Sequence, residues 1–176
     1  MDRTRRALFP KSNVLRLGDL LAQHRLPTRG VFKFRLEYDV EVRKTELLPY
    51  VPKPVNSLRL VPADDVRYGK KFADRTGIRR CLEQKGAADD IIMVQRGYLT
   101  DASYANLALH DGSHWYTPAW PLLRGTRREM LLETGVLRPS VIRARDLPNF
   151  ERVRLINAML GWEEGPEVGV DQIIVP

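Results

Sequence analysis

The clearest periodicity lies early in the chain. Phe32, Phe34, Leu36 and Tyr38 alternate with Lys33, Arg35 and Glu37, the period of two that a half-buried β-strand imposes on its side chains. Residues 40–48 read as its hairpin partner. Ahead of it, residues 2–9 predict a helix. Leu15, Leu17, Leu20 and Leu21 predict a second over 14–23, with Ser12 or Asn13 as N-cap. Pro27 and Gly30 punctuate its end. Pro52-Lys53-Pro54 is a stiff break and the best interdomain linker. Beyond it, 57–61 resumes in β, and 72–85 predicts a helix with Asp74 near its start and Gly86 as a stop. Residues 91–94 form a short, wholly apolar strand turned by Arg96-Gly97. Residues 105–109 and 114–116 are strands joined by Asp111-Gly112, a hairpin signal. Gly125 opens a helix that ends near Thr134-Gly135, and 136–144 and 152–158 are further strands. Hairpins scattered among helices predict an α+β or mixed α/β fold rather than a doubly wound parallel sheet.

Composition narrows the function classes. The chain has 176 residues, 43% hydrophobic and 29% charged, enough to bury a core and too apolar for disorder. No apolar run approaches the ~18 residues of a membrane helix. The opening residues lack the apolar stretch of a secretory signal, and Cys81 has no cysteine to pair with. A cytoplasmic protein is expected. The net charge of +7 is unevenly placed: residues 1–63 hold 13 Lys and Arg against 6 Asp and Glu, and the remainder balances. That excess suits an anion site, a nucleic-acid surface or a solvated face. No aromatic-basic interleaving supports nucleic acid as a partner.

Standard searches for chemistry fail. There is no glycine-rich dinucleotide loop, Walker loop, nucleophile elbow or zinc-helix motif. His110 and His114 have the spacing of a helical metal pair, but the intervening Asp111-Gly112 predicts a turn, so no metal site is expected. Three segments stand out together. Tyr68-Gly69-Lys70-Lys71-Phe72-Ala73-Asp74-Arg75 puts a lysine at a strand-to-helix junction. Residues 99–107 put Asp101 on a polar loop between strands. Residues 117–128 run a proline-rich loop into a helix start at Gly125-Thr126. Pyridoxal phosphate chemistry needs one thing from each: an amine nucleophile, a carboxylate for the pyridine nitrogen, and backbone N–H groups for the phosphate. Taken singly, the lysines read as solvated surface, the aspartate as a turn or cap, and the Gly-Thr as an ordinary helix start.

In their order and spacing these motifs resemble the class IV pyridoxal-phosphate enzymes: branched-chain and D-amino acid aminotransferases and aminodeoxychorismate lyases. The resemblance is nearest to a compact bacterial subgroup. It runs from about Phe32 to Ile174 through Lys71-Phe72-Ala73-Asp74-Arg75, Asp89-Asp90-Ile91-Ile92, Leu99-Thr100-Asp101-x-Ser103-x-x-Asn106, Tyr116-Thr117-Pro118, Pro121-Leu122-Leu123-x-Gly125-Thr126-x-Arg128 and Leu155-Ile156-Asn157-Ala158-Met159. The resemblance implies a two-domain fold like that of D-amino acid aminotransferase. Residues 1–54 would be an incomplete N-terminal α+β domain, and 55–176 a cofactor-binding domain with a barrel-like mixed sheet. It implies pyridoxal 5'-phosphate as cofactor, a Schiff base on Lys71 (Lys70 being the lesser choice), and Asp101 in place of the family's glutamate. Gly125, Thr126 and Arg127 would form the phosphate cup, and Asn157-Ala158 a loop closing on the cofactor. It implies a homodimer acting on an amino acid or aminodeoxychorismate-like small molecule. Arg35 and Lys33 then suit a substrate carboxylate, or simply a solvated strand face.

Two departures from the pattern bear on activity. Phe72 offers no hydroxyl where the family often places one near the cofactor. The resemblance also begins at the Met of the family's His-x-x-Arg-Met segment, so the phosphate-binding arginine would precede Met1. Two further expectations stand beside the enzyme reading. One is a catalytically inactive or truncated member of the fold, acting as a binding or structural protein. The other is a basic nucleic-acid binder, resting on the +7 alone.

Overall fold

The computed structural model describes residues 2–176, which divide into two compact units, one ending at Lys53 and the other running over 54–176. In the first, helix α1 (Asp2–Leu8) and helix α2 (Leu17–Ala22) precede an antiparallel hairpin of β1 (Phe32–Tyr38) and β2 (Val42–Pro49). The hairpin register sets Arg35 opposite Glu46 and Glu37 opposite Lys44, so opposite charges face each other across the strands. Lys33 and Arg35 are exposed and Phe32, Phe34 and Leu36 half-buried, as the alternation demands. The second helix is shorter than the leucines suggest and neither Ser12 nor Asn13 caps it. Its N-cap is Arg16. The Ser12 hydroxyl instead donates to the Phe9 carbonyl at 2.7 Å, and the Asn13 carbonyl accepts from the buried Arg5 guanidinium. Arg5 also reaches the Val40 carbonyl and lies over the Tyr38 ring.

The second unit is built on a nine-stranded mixed sheet. Strand β3 (Leu58–Pro62) leads to helix α3 (Thr76–Leu82) and then to β4 (Asp90–Gln95), β5 (Tyr98–Ala102), β6 (Asn106–His110) and β7 (Trp115–Pro118). Helix α4 (Thr126–Glu133), β8 (Leu137–Ser140), β9 (Arg152–Ile156), β10 (Glu167–Gly169) and β11 (Ile173–Ile174) complete it. The path runs β10-β9-β6-β5-β4-β3-β11, with β7 joined to β6 and β8. Strand β3 is parallel to β4 and β11, and β7 to β8. The other pairs are antiparallel. This is a mixed α+β architecture.

The wholly apolar run 91–94 is explained by burial on both faces of β4. Leu58, Leu60 and Ile92 enter one core with Leu107, Leu109 and Leu155. Val61, Ile91 and Met93 enter another with Ile78 and Cys81 of α3. Helix α4 packs Leu131 on Ala108 and Ile156 in a third. The β4–β5 turn is Arg96-Gly97 with φ of 51° and 82°, a left-handed pair that suits a two-residue hairpin.

Several sequence expectations need correction. Helix α3 starts at Thr76, not at 72. Asp74 Oδ1 accepts from the Thr76 amide at 2.9 Å and from its hydroxyl at 2.7 Å, and this side-chain turn starts the helix. Residues 99–102, expected as a polar loop, are strand β5. The strand expected over 136–144 stops at Ser140, and Ala144–Asn149 is a 3-10 turn. Its opening amide, Arg143 N–H, is taken by Asp146 Oδ2 at 2.9 Å.

Candidate active site

The site is organised by strand β6. One of its edges pairs along its whole length with β9, setting Asn106 opposite Ile156. The other edge is shared. Asn106 at the start faces Asp101 of β5, while Leu109 and His110 at the end face β7. The loop from β7 to α4 returns to that division. There the Leu123 amide donates to Asp101 Oδ2 at 2.8 Å. The Asn106 side-chain amide donates both to Asp101 Oδ1 at 2.6 Å and to the Leu123 carbonyl at 2.7 Å.

Asp101 is 5% exposed and Asn106 6%. Burial pushes the Asp101 carboxyl up to about 7, against the downward pull of the Leu123 and Asn106 hydrogen bonds and the Arg128 charge. Arg128 is itself buried and donates to Thr117 Oγ1 at 3.1 Å and to the Pro118 carbonyl at 2.8 Å. It fixes the first turn of α4 onto the end of β7.

Gly125 is the N-cap of α4 with extended backbone and no side-chain cap. The first intrahelical bond runs from Glu129 N–H to the Gly125 carbonyl, which leaves the amides of Thr126, Arg127 and Arg128 without intrahelical partners. An uncapped N-terminus of this kind attracts anions. A Cβ on Gly125 would stand 2.2 Å from Asn106 Oδ1, so the loop can approach the hairpin this closely only at a glycine. Asn157 follows Ile156 out of β9, one step beyond the partner of Asn106. Its Oδ1 accepts from the Met159 amide at 2.8 Å and closes a turn, and Ala158 on that turn is exposed.

Lys71 lies elsewhere along the second unit, on an exposed loop between β3 and α3. Two contacts hold the loop. Tyr68 donates its hydroxyl to the Phe72 carbonyl at 2.8 Å, and Arg75 donates to the Ser103 carbonyl at the β5–β6 turn. The second contact ties the lysine loop to the hairpin that carries Asp101. A cleft of about 370 Å³ opens between the two shoulders of this loop, from Asp65–Tyr68 to Asp74–Ile78. Asp101 and Gly125 do not line it. Arg35 in the first unit is paired with Glu37 and with Glu46, the latter at 3.0 Å.

Asp101 and the Gly125 start of α4 therefore meet at one division of the sheet, Thr126 and Arg127 follow in the first turn of that helix, and Asn157-Ala158 lie just past the β9 residue opposite Asn106; the Lys71 loop is tied to the Asp101 hairpin through Arg75. Asn106 and Arg128 stood in the family-like motifs without a role. The signal for Asn106 is its place after a short turn, where a residue five positions on can face Asp101 across a hairpin. Nothing in the sequence points to the Leu123 backbone.

Comparison with known proteins gives the family. The model of the amino-transferase class IV family matches residues 33–164, and the chain belongs to that family. An uncharacterized protein of Haemophilus influenzae is 35% identical over 163 residues, which is 91% of this chain and 86% of that one. A candidate aminodeoxychorismate lyase of Schizosaccharomyces pombe is 33% identical over 85 residues, 46% of this chain and 37% of that one. Among solved structures, a candidate 4-amino-4-deoxychorismate lyase from Haemophilus somnus superposes with a TM-score of 0.82 at 32% identity, covering 90% of this chain and 84% of that one. A candidate amino-acid aminotransferase from Mesorhizobium loti, at 19% identity and a TM-score of 0.70, covers 90% and 78% and shares the fold. Among the described residues, no helix is long and apolar enough to cross a membrane.

Proposed function

We propose that this chain is a pyridoxal-phosphate-dependent enzyme acting on an amino group of a small molecule, with aminodeoxychorismate lyase chemistry ahead of transamination. One observation carries the reading. A buried carboxylate, Asp101, is locked by Asn106 and Leu123 beside an uncapped helix N-terminus at Gly125. That pairing suits a ligand with a cationic ring nitrogen at one end and a phosphate at the other.

The residues fit the group. Asp101 accepts from the Asn106 side-chain amide at one oxygen and from the Leu123 amide at the other, with a further pull from the Leu122 backbone; a carboxylate has about four acceptor positions, so capacity remains for a ring N–H. A cation there also offsets the burial that raises the carboxyl. The amides of Thr126 and Arg127, with the Thr126 hydroxyl, would hold the phosphate. The Asn157-Ala158 turn would close on it. When bound, the cofactor supplies an aldehyde for a lysine amine and a ring that delocalises the electron pair left at the substrate α-carbon. Lys71 Nζ is the proposed nucleophile and carrier of the α-proton. Asp101 keeps the ring nitrogen protonated through its carboxylate charge. Arg35 and Lys33 are proposed for the substrate carboxylate, with Arg35 exchanging its Glu37 and Glu46 partners for it. Homology to the two candidate lyases favours a substrate like aminodeoxychorismate, which would give pyruvate and 4-aminobenzoate.

The test is direct. Full-length protein incubated with pyridoxal phosphate is expected to gain absorbance near the edge of the visible range. Borohydride should fix the cofactor to the peptide carrying Lys71, and Lys71→Ala should abolish both effects. Protein that gains no band and no adduct refutes the reading, and leaves a non-catalytic member of the fold in its place. Adduct on Lys70 would reassign the nucleophile. Release of 4-aminobenzoate, against release of a keto acid, separates lyase from aminotransferase. We further read the active form as a cytoplasmic homodimer, which sedimentation and cell fractionation check.

A further inference from the structure

Asn106 uses one NH2 group for two acceptors on different segments. Its Nδ2 lies 2.6 Å from Asp101 Oδ1 on β5 and 2.7 Å from the Leu123 carbonyl on the loop entering α4. Two acceptors on one side fix which end of the amide is nitrogen. Its Oδ1 then abuts Gly125, where an added Cβ would stand 2.2 Å away. The ladder fixes its backbone between Asp101 and Ile156, and turning the side chain away from a new Cβ would break its two Nδ2 hydrogen bonds. The triangle closes through the Leu123 amide, which donates to the other Asp101 oxygen at 2.8 Å. The charged group facing Asp101 from α4 is Arg128.

We infer that Asn106 is a positioning residue that makes the Asp101 carboxylate and the Leu122–Gly125 entry to α4 one rigid unit, so that neither end of the proposed cofactor site can shift without the other. This deepens the pyridoxal-phosphate reading, on which it rests for its meaning. The coupling itself is a property of this chain's own residues, so it can be measured with or without a cofactor. Loss of the amide removes a donor to the ionised carboxylate and favours the protonated form. It also releases the Leu123 carbonyl and with it the helix entry. Pushing Asn106 aside from the Gly125 face should disturb Asp101 in the same way, although Gly125 does not touch Asp101 through any side chain.

The experiment is a double-mutant cycle on the full chain without added cofactor. The Asp101 carboxyl is titrated by carbon NMR with labelled aspartate, assigned with Asp101→Asn. Amide exchange of residues 122–127 is followed in parallel. Asn106→Ser and Gly125→Ala are each expected to raise the proton affinity of Asp101 by about tenfold and to speed exchange over 122–127. In the double variant the smaller serine leaves room for the new Cβ, so Gly125→Ala should add little or nothing to Asn106→Ser. Independent, additive effects overturn the inference, as does an unchanged Asp101 titration in a folded Asn106→Ser. If Gly125→Ala alone unfolds, the double variant decides by rescue: refolding supports the shared lock, and failure to refold beside a folded Asn106→Ser overturns it. The cofactor reading is tested separately by the lysine adduct. A protein that couples Asp101 to the helix entry but takes no pyridoxal phosphate would keep this inference and lose that reading.

Discussion

Asp101 should set the pH dependence of stability of the second unit. The residue is 5% exposed, and burial raises its carboxyl pKa from 3.8 to about 7. An acid raised by folding keeps its proton in the native state after the unfolded chain has released it. Stability is then greatest below the unfolded value, falls as pH climbs between the two values, and levels off above the folded one. A rise from 3.8 to about 7 amounts to about 4 kcal/mol at ~1.4 kcal/mol per pH unit. Asp101→Asn has no proton to lose and should abolish this slope. Asparagine accepts at one atom only, so either the Leu123 amide or the Asn106 amide loses its acceptor, at about 1–3 kcal/mol. The variant is therefore expected to be less stable than the wild type near pH 4, and to match or exceed it near pH 8. Urea unfolding followed by tryptophan fluorescence is the assay, because Trp115, Trp120 and Trp162 all lie in the 54–176 unit. A difference between the two proteins that stays constant from about pH 4 to about pH 8 would refute the reasoning. A bound cation at Asp101 should flatten the wild-type slope, so saturating pyridoxal phosphate provides a second arm.

Four other outcomes are expected. Arg154 is 6% exposed, lies 4.8 and 4.4 Å from the Trp115 and Trp162 ring centroids, and pairs with Glu167. Arg154→Ala should cost about 2–4 kcal/mol by urea unfolding, because it removes a buried cation from two aromatic rings and the donor to the Trp162 carbonyl, while Arg152 stays paired with Glu167; a loss below about 1 kcal/mol would show the stack to be incidental. Arg96→Asn should raise stability by about 0.5 kcal/mol, since asparagine tolerates the φ of 51° better than arginine, and a lowered melting temperature would contradict that. Arg35→Ala should change stability by less than about 1 kcal/mol, its ion pairs being exposed, while raising KM for a carboxylate substrate with kcat little changed. Arg75→Ala should loosen the Lys71 loop from the Ser103 carbonyl, seen as faster amide exchange over 69–75 and slower borohydride-trappable adduct formation; unchanged exchange there would remove Arg75 from the site's framework.

Much of the fold was legible because it follows from local periodicity. Alternation predicts β1, the double-sided apolar run predicts a buried β4, and Arg96-Gly97 and Asp111-Gly112 mark hairpin turns without reference to anything distant. The motifs also named Lys71, Asp101 and Gly125-Thr126 and suggested their chemistry. Strand β5 was not legible as a strand, since Asp101 is depleted in strands and Ser103 just beyond it favours turns. Its polar side chains are buried because their partners come from elsewhere: Thr100 donates to the Met93 carbonyl, and Asp101 accepts from Asn106 and from Leu123, 22 residues on. Desolvation of that carboxyl, the double duty of the Asn106 amide and the lack of space at Gly125 are likewise decided by which segments meet along one edge of β6. The sequence by itself determined the periodic elements and the set of reactive residue types, because those depend on neighbours along the chain. Only the tertiary structure decided which polar groups are buried together and what each is bonded to, because burial and hydrogen-bond satisfaction depend on neighbours in space.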